Sequence, residues 1–251
     1  MAITLKNPRE IELMRRAGKI TAAARALAGE MVKPGVTTQE INNEVERFIR
    51  KEGAIPSFLN YSGYPGSICI SVNDEVIHGI PGKRVLNEGD IVSVDVGAFI
   101  GGFHGDCAAT FACGEISPEA QDLIRVTRES FFEGIKLAKK GHRVQDISAA
   151  VQAYVESHGY SIVREYVGHG IGKNLHESPE VPNFGTPGRG VRLLPGMTLA
   201  IEPMVNAGSA AIKLLSDGWT VKTRDGKNAA HYENTILITD GEPEILTAPA
   251  I

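Results

Sequence analysis

The sequence repeats its helical pattern after about 106 residues, and this internal repeat constrains the fold more than any other feature. Asn7-Pro8-Arg9-Glu10 and Thr37 with Glu40 are capping signals ahead of two apolar helical stripes, and Ser117-Pro118-Glu119 starts the pattern again. The offset is constant at 106, because Gly35, Ile41 and Gly53 are matched by Gly141, Ile147 and Gly159. Two pairs of helices related by a pseudo-two-fold axis are therefore predicted.

Apolar segments with strand character lie between and after the helix pairs. They cover residues 67–72, 91–96, 104–111, 199–205 and 235–239, and are bounded by Gly, Pro and Asn. The repeat continues into them, since residues 89–95 align with residues 196–202 at an offset of 107. We predict an α+β fold with a mainly antiparallel sheet flanked by the two helix pairs. One domain spans residues 1–251, with halves of about 1–114 and 115–251.

Charge and apolar content exclude several classes of protein. The net charge is −4 and hydrophobic residues make up 42% of the chain, which predicts a globular protein without a dedicated nucleic-acid surface. No window is apolar enough to cross a membrane or to serve as a signal peptide, so we expect a cytoplasmic location. The three cysteines have no CxxC spacing, which predicts neither a disulfide framework nor a cysteine zinc site.

Four acidic residues lie in segments that read as buried strands: Asp95, Asp106, Glu202 and Glu233. A lone acid of this kind most often caps a turn or pairs with a lysine. Four desolvated carboxylates repel one another, and one or two divalent cations remove that cost. An Ile100-Gly101-Gly102 turn would bring Asp95 and Asp106 side by side. The acids therefore predict a metal site.

Three histidines are candidates to complete this site. His169 lies between glycines that allow close approach, and His176 follows seven positions later. A histidine beside glycine is usually only a turn residue, but four buried acids favour a ligand here. His78 lies where a strand gives way to a loop, so a functional role and simple surface placement are equally consistent with its local sequence.

These residues resemble the type I methionine aminopeptidases, which have the pita-bread fold, and the likeness runs through nearly the whole chain. Tyr166-x-Gly168-His169-Gly170-Ile171-Gly172, then His176 and Val181-x-Asn183, is similar to that family's diagnostic segment. The ordered set of Asp95, Asp106, His169, Glu202 and Glu233 matches its five metal ligands. Thirty residues between Glu202 and Glu233 leave no room for the type II insertion, and no zinc-finger segment precedes the first helix, so the short bacterial form is the nearest likeness.

The resemblance implies an enzyme that removes the N-terminal methionine of nascent polypeptides with a small second residue. It implies two divalent ions of Co, Mn, Fe or Zn, with Asp95 on one, His169 and Glu202 on the other, and Asp106 and Glu233 bridging. Glu202 is the expected general base, and His78 and His176 are expected to be both catalytic and substrate-binding. The methionine pocket would be formed by Phe58, Tyr61, Tyr64 and Trp219, although plain core packing explains each aromatic residue equally well.

Two other functions remain open from the sequence. Prolidases and aminopeptidase P share these ligands but usually carry an additional N-terminal domain. Some pita-bread relatives are non-catalytic binding modules, and these have lost ligands that this chain retains. We expect a monomer, because no heptad repeat is visible, with transient ribosome contact and no dedicated nucleic-acid or membrane partner.

Overall fold

The computed structural model describes residues 3–248, and within them four α-helices form two consecutive pairs. The helices are Pro8–Met31 (α1), Thr38–Lys51 (α2), Pro118–Ile135 (α3) and Val144–Ser157 (α4). Reciprocal capping boxes start the first two helices, joining Asn7 to Glu10 and Thr37 to Glu40. These bonds satisfy amides that a helix start leaves unpaired, so the predicted helix starts and the two helix pairs are confirmed.

Fifteen strands occupy much of the rest of the described chain, and all of their pairings are antiparallel. The first five are Ile55–Pro56 (β1), Cys69–Val72 (β2), Glu75–Ile77 (β3), Ile91–Ile100 (β4) and Phe103–Ala112 (β5). The next five are Ser161–Ile162 (β6), Gly168–Gly170 (β7), Glu177–Val181 (β8), Thr198–Ile201 (β9) and Met204–Asn206 (β10). The last five are Ile212–Leu214 (β11), Val221–Thr223 (β12), Ala229–His231 (β13), Asn234–Leu237 (β14) and Glu244–Ile245 (β15).

Two larger sheets correspond to the two helix pairs. In the first, β4 pairs with β1, β2 and β5, and the β4–β5 hairpin stays in register from Ile91 opposite Ala112 to Ile100 opposite Phe103. The second has the order β15-β14-β9-β7-β8. Two smaller sheets have the orders β13-β10-β6 and β11-β12-β3. The α+β class with antiparallel sheets and paired helices agrees with the prediction.

The strand predicted over residues 199–205 is wrong as a single element. It is divided into β9 and β10, which join different sheets. The division falls at Glu202 and Pro203, because proline has no amide hydrogen to donate to a ladder. Glu233 likewise lies between β13 and β14 rather than inside a strand. Both acids therefore lie at strand ends, where their side chains can turn towards a common point.

A separate apolar core lies under each helix pair, and close packing of α1 brings the first core to the site. Ala17, Ala24 and Ala28 of α1 are fully buried in the core that contains the β4 side chains. A Cβ on Gly105 would lie 2.9 Å from the Gly18 nitrogen of α1. Glycine is therefore required at that position for α1 to rest against β5, one residue before Asp106.

The two larger sheets meet where Ala108 of β5 faces Glu233. The Glu233 amide donates to the Ala108 carbonyl over 2.9 Å, and the Ala108 amide donates back over 3.3 Å. Arg25 of α1 also donates to both carbonyl oxygens, at 3.2 Å and 2.9 Å. This junction brings acids from distant parts of the sequence to one place.

Candidate active site

The β4–β5 hairpin presents two carboxylates on the same face. Asp95 lies opposite Ala108 and Asp106 lies opposite Gly97, so the two acids are diagonal neighbours across the ladder. Diagonal neighbours of this kind share one face of the sheet. Gly97 leaves the space that Phe58 fills, since a Cβ there would lie 2.7 Å from the phenyl ring. The predicted juxtaposition of the two aspartates is present.

The second sheet supplies the other three predicted ligands. Ile201 pairs with Asn234, and Glu202 and Glu233 directly adjoin these two residues. His169 of β7 pairs with Ala200, two residues before Glu202. The His169 Nε2 atom lies 3.6 Å from a Glu202 carboxylate oxygen and 3.9 Å from Asp106 Oδ2. Residues from both larger sheets thus converge on one buried volume.

The tautomer of His169 follows from its main-chain contact. Its Nδ1 atom lies 2.9 Å from the Gly170 carbonyl oxygen, which can only accept a hydrogen bond. The proton is therefore on Nδ1, and Nε2 faces the acids with a free lone pair. Burial lowers the pKa of His169 to about 3, so the ring stays neutral. A neutral imidazole with a bare nitrogen is the form that binds metal.

Burial dominates the electrostatics of the four acids. It raises the pKa of Asp95 to about 7 and raises the pKa of Asp106, Glu202 and Glu233 well above ordinary values. Repulsion among the carboxylates raises the last three further, while the Arg25 guanidinium lowers the pKa of Asp95 and Glu233. Without a bound metal ion, these raised pKa values favour protonated carboxyl groups. A divalent cation would favour the ionised carboxylates instead.

The donor set fits a divalent cation. Ligand atoms of Asp106, His169 and Glu233 all lie within 4.8 Å of one another. Asp95 Oδ1, Asp106 Oδ1 and Glu233 Oε1 are buried without a hydrogen-bond partner among the described residues. Such atoms are costly in a folded protein, and coordination would satisfy them. Carboxylate oxygens with one imidazole suit Mn, Fe, Co or Zn.

All eleven predicted site residues line one cleft with a volume of about 130 Å³. The acids and His169 lie on one side, and the side chains predicted to contact substrate complete the wall. The ring centroids of Tyr64 and Trp219 are 5.1 Å apart in an edge-to-face arrangement, and those of Trp219 and His78 are 6.4 Å apart. Cys69 and Leu175 also line the cleft, and the predicted set did not include them.

His78 adopts a backbone conformation that non-glycine residues seldom take. It follows β3 directly, as expected, and its φ is +59°. A left-handed conformation at such a residue costs on the order of 1 kcal/mol and is concentrated at functional sites. Burial lowers the pKa of His78 to about 4, so its ring is neutral at pH 7. The strained backbone directs this ring into the cleft beside Trp219.

His176 lies at the mouth of the cleft between two other rings. Its ring centroid is 4.3 Å from that of His169. On the other side its Nδ1 atom is 2.6 Å from the Tyr61 hydroxyl oxygen. The imidazole is therefore held between a predicted ligand and a predicted pocket residue, both within reach of a substrate in the cleft.

The sequence interpretation missed His231. This side chain is 2% exposed, and its Nε2 atom has no hydrogen-bond partner among the described residues. Nε2 lies 3.8 Å from Glu202 Oε2. A usable signal was present, because His231 precedes Glu233 by two positions in an extended apolar segment and such residues share a face.

Arg25 was also missed. Its guanidinium is buried without a described acidic partner, and it donates to main-chain oxygens and to Asn234 Oδ1. Residues 14, 18 and 28 fall on the same helical stripe and are buried. A charged residue on a buried stripe indicates a compensating environment. Here that environment is the sheet junction behind the acidic cluster.

Comparison with known proteins places the chain in a class. The model of metallopeptidase family M24 matches residues 12–240. A methionine aminopeptidase of Clostridium acetobutylicum is 59% identical, and the match covers 98% of each chain. A crystal structure of methionine aminopeptidase from Thermotoga maritima has a TM-score of 0.97 at 48% identity, covering 98% of this chain and 99% of that one.

A more distant likeness concerns the fold alone. Prolidase from Pyrococcus horikoshii has a TM-score of 0.79 at 21% identity, and the match covers only 64% of its length. The chain belongs to metallopeptidase family M24 and is accordingly a divalent-metal peptidase. Within that family its full-length, high-identity relatives are the methionine aminopeptidases, which confirms the resemblance found in the sequence. Among residues 3–248, no helix is long and apolar enough to cross a membrane.

Proposed function

We propose that this chain is a methionyl aminopeptidase that removes the N-terminal methionine of nascent polypeptides with a small second residue. The observation that carries the proposal is the meeting of four acids, of which Asp106 and Glu233 are buried, with the bare Nε2 of His169 at one end of a cleft walled by aromatic side chains. Full-length relatives that bear the name methionine aminopeptidase support the substrate.

Five residues would hold the metal: Asp95, Asp106, His169, Glu202 and Glu233. We propose two divalent ions, because four carboxylates exceed the charge that one such ion neutralises. When bound, divalent ions of Co, Mn, Fe or Zn supply Lewis acidity that polarises a carbonyl group and makes water more acidic. By resemblance to the family, Asp106 and Glu233 would be the two ligands shared by both ions.

Glu202 acts as the general base. Its carboxylate takes a proton from the attacking water and returns it to the departing amine. Burial and the neighbouring Asp95 raise the pKa of Glu202 in the metal-free protein, and a bound divalent cation would restore the carboxylate form that a general base needs. Glu202 directly follows the short strand β9, which limits its movement between the two transfers.

Two histidines contact the peptide bond that is cleaved. His176 donates a hydrogen bond to the scissile carbonyl oxygen as negative charge develops there, and His78 contacts the scissile amide nitrogen. His78 and His176 both line the cleft beside Glu202. Bulk on the second residue of the substrate would meet the walls around these two rings, which explains the preference for small residues.

The methionine side chain occupies the aromatic part of the cleft, formed by Phe58, Tyr61, Tyr64 and Trp219. The whole cleft, with its acidic end included, has a volume of about 130 Å³, below the roughly 300–1,000 Å³ of ordinary small-molecule pockets. The aromatic part is smaller still, and its aromatic walls favour a polarisable thioether. We further propose that the protein is a cytoplasmic monomer that contacts the ribosome transiently.

Cleavage of two peptides tests the function. Metal-stripped protein is assayed with Met-Ala-Ser and Met-Leu-Ser, before and after addition of Mn²⁺ or Co²⁺. Rapid metal-dependent release of methionine from Met-Ala-Ser alone is expected. Equal rates on the two peptides would contradict the small-residue preference. Cleavage of proline-containing peptides instead would indicate a prolidase-type enzyme, and no cleavage under any metal would indicate a binding module.

A further inference from the structure

We propose that Tyr61 is a positioning residue for His176, and that its hydroxyl donates to His176 Nδ1 and so keeps the proton of the ring on Nε2. This role rests on the proposed function, in which His176 serves as a hydrogen-bond donor to the substrate. It is distinct from the role of Tyr61 as a wall of the methionine pocket.

The contact itself is short and specific. The hydroxyl oxygen of Tyr61 lies 2.6 Å from His176 Nδ1, and the ring centroids are 5.2 Å apart. Among the described residues, His176 is the only hydrogen-bond partner of this hydroxyl. A neutral imidazole carries one proton, so a ring that accepts at Nδ1 must donate at Nε2. Only that tautomer can donate to a carbonyl oxygen in the cleft.

If this hydrogen bond ran in the opposite direction, His176 could not donate to the substrate. If Nδ1 carried the proton, Nε2 would offer only a lone pair to the developing negative charge on the substrate. The substrate oxygen would then meet repulsion where a donor is needed. His169 has the opposite tautomer, because its Nδ1 donates to the Gly170 carbonyl. The hydrogen-bond partner of each Nδ1 therefore makes the Nε2 of His169 a metal ligand and the Nε2 of His176 a hydrogen-bond donor.

The loop that carries Tyr61 has a left-handed residue on both sides of it. Asn60 has a φ of +65°, which asparagine tolerates, whereas Ser62 has a φ of +49°, which serine seldom adopts. Main-chain bonds from the Tyr61 amide to the Phe58 carbonyl and from the Tyr64 amide to the Tyr61 carbonyl hold this conformation. The strained conformation of Ser62, directly after Tyr61, indicates that the direction of the Tyr61 side chain matters.

Exposure separates Tyr61 from the other aromatic residues of the cleft. Tyr61 is 39% exposed, whereas Phe58 is 8% and Tyr64 is 3% exposed. Burial therefore orients Phe58 and Tyr64, but it contributes less to the orientation of Tyr61. The hydroxyl contact with His176 is therefore a larger share of what orients its ring, which lies at the mouth of the cleft.

The test is Tyr61→Phe, which keeps the ring and removes only the hydroxyl. The nitrogen chemical shifts of His176 are read by ¹⁵N NMR in the full-length protein loaded with diamagnetic Zn²⁺, and assigned by their absence in His176→Gln. Wild type should show the Nε2-protonated form, and Tyr61→Phe a mixture of tautomers. Tyr64→Phe is the matched control: its hydroxyl donates to the carbonyls of Ile68 and Gly79, so the His176 shifts should not move.

The rate of Met-Ala-Ser cleavage by Tyr61→Phe is the second test of the proposal. In Tyr61→Phe, kcat should fall on the order of ten-fold with KM little changed, less than the 10²–10³-fold typical of losing an oxyanion donor outright. An Nδ1-protonated wild type, or shifts and kcat that Tyr61→Phe leaves unchanged, would overturn the proposal. The shifts need no turnover, so a protein that cleaves no methionyl peptide yet shows the expected tautomer contradicts the proposed function and leaves the hydrogen bond in place.

Discussion

The hydroxyl of Thr235 replaces a main-chain partner for Asp106: it donates to the Asp106 carbonyl over 2.9 Å and accepts from the Asp106 amide over 3.1 Å. At the other end of the junction, Thr110 makes the same pair of bonds with His231, each 2.9 Å long. Between them, Ala108 and Glu233 bond directly. On each side of that central pair, a threonine hydroxyl therefore takes the place of a main-chain partner.

We predict that Thr235→Val weakens metal binding by about ten-fold, because loss of a residue that orients a ligand typically costs 10–100-fold. Valine has nearly the shape of threonine, but it leaves two buried main-chain groups of Asp106 unsatisfied. Mn²⁺ affinity measured by isothermal titration calorimetry checks this. Thr110→Val is the matched control, since it removes the same bonds at His231, and its metal affinity should change less. Equal losses in the two variants would contradict the prediction.

Asp95→Asn should stabilise the metal-free protein, and more so as the pH rises from about 4 to about 7. Burial raises the pKa of Asp95 from 3.8 to about 7. The protonated Asp95 side chain therefore stabilises the folded state fully below its unfolded-state pKa. This stabilisation is lost as the pH rises through its folded-state pKa. The Tm difference between variant and wild type in EDTA checks this.

Taking the Tm difference between Asp95→Asn and wild type removes the opposing effect of two buried histidines. Burial lowers the pKa of His169 and His231 to about 3, so these rings favour the folded state at higher pH, but they do so in both proteins. With saturating Mn²⁺ the order should reverse, and wild type should gain more Tm. A Tm difference that does not vary with pH would show that Asp95 is not the titrating group.

Glu202→Gln should lower kcat for Met-Ala-Ser by roughly 10²–10⁴-fold, the usual contribution of a general base. The amide keeps the shape of the side chain but cannot take a proton from water. Metal content measured on the same sample separates loss of the base from loss of a ligand. Glu52→Gln, at an exposed acid that caps α2, is the control and should turn over normally. Wild-type turnover in Glu202→Gln would remove this residue from the mechanism.

His78→Ala should also reduce kcat strongly, by about 10²-fold if its contact to the scissile amide forms only in the transition state. The backbone complicates this variant, because alanine is strained at a φ of +59°. His78→Asn resolves the ambiguity, since asparagine tolerates the left-handed region. We expect His78→Asn to keep the wild-type Tm and still lose kcat. Full activity in His78→Asn would assign His78 a purely structural role.

Local signals in the sequence were reliable where short-range chemistry decides the structure. The capping boxes at Asn7 and Thr37 formed as predicted, because the bonds they make lie within four residues. The β4–β5 hairpin followed from its glycine turn. The strand predicted over residues 199–205 was wrong because Pro203 outweighed the apolar pattern around it.

The sequence by itself determined which residues could form a site, because four acids among apolar residues and a histidine between glycines already predicted a bound cation. It also determined the family, whose spacing of ligands is specific. Only the tertiary structure decided how the atoms face one another. The contact between Tyr61 and His176 and the bridging of Asp106 by Thr235 join residues 115 and 129 positions apart. Such contacts depend on the meeting of two sheets, which no local pattern encodes.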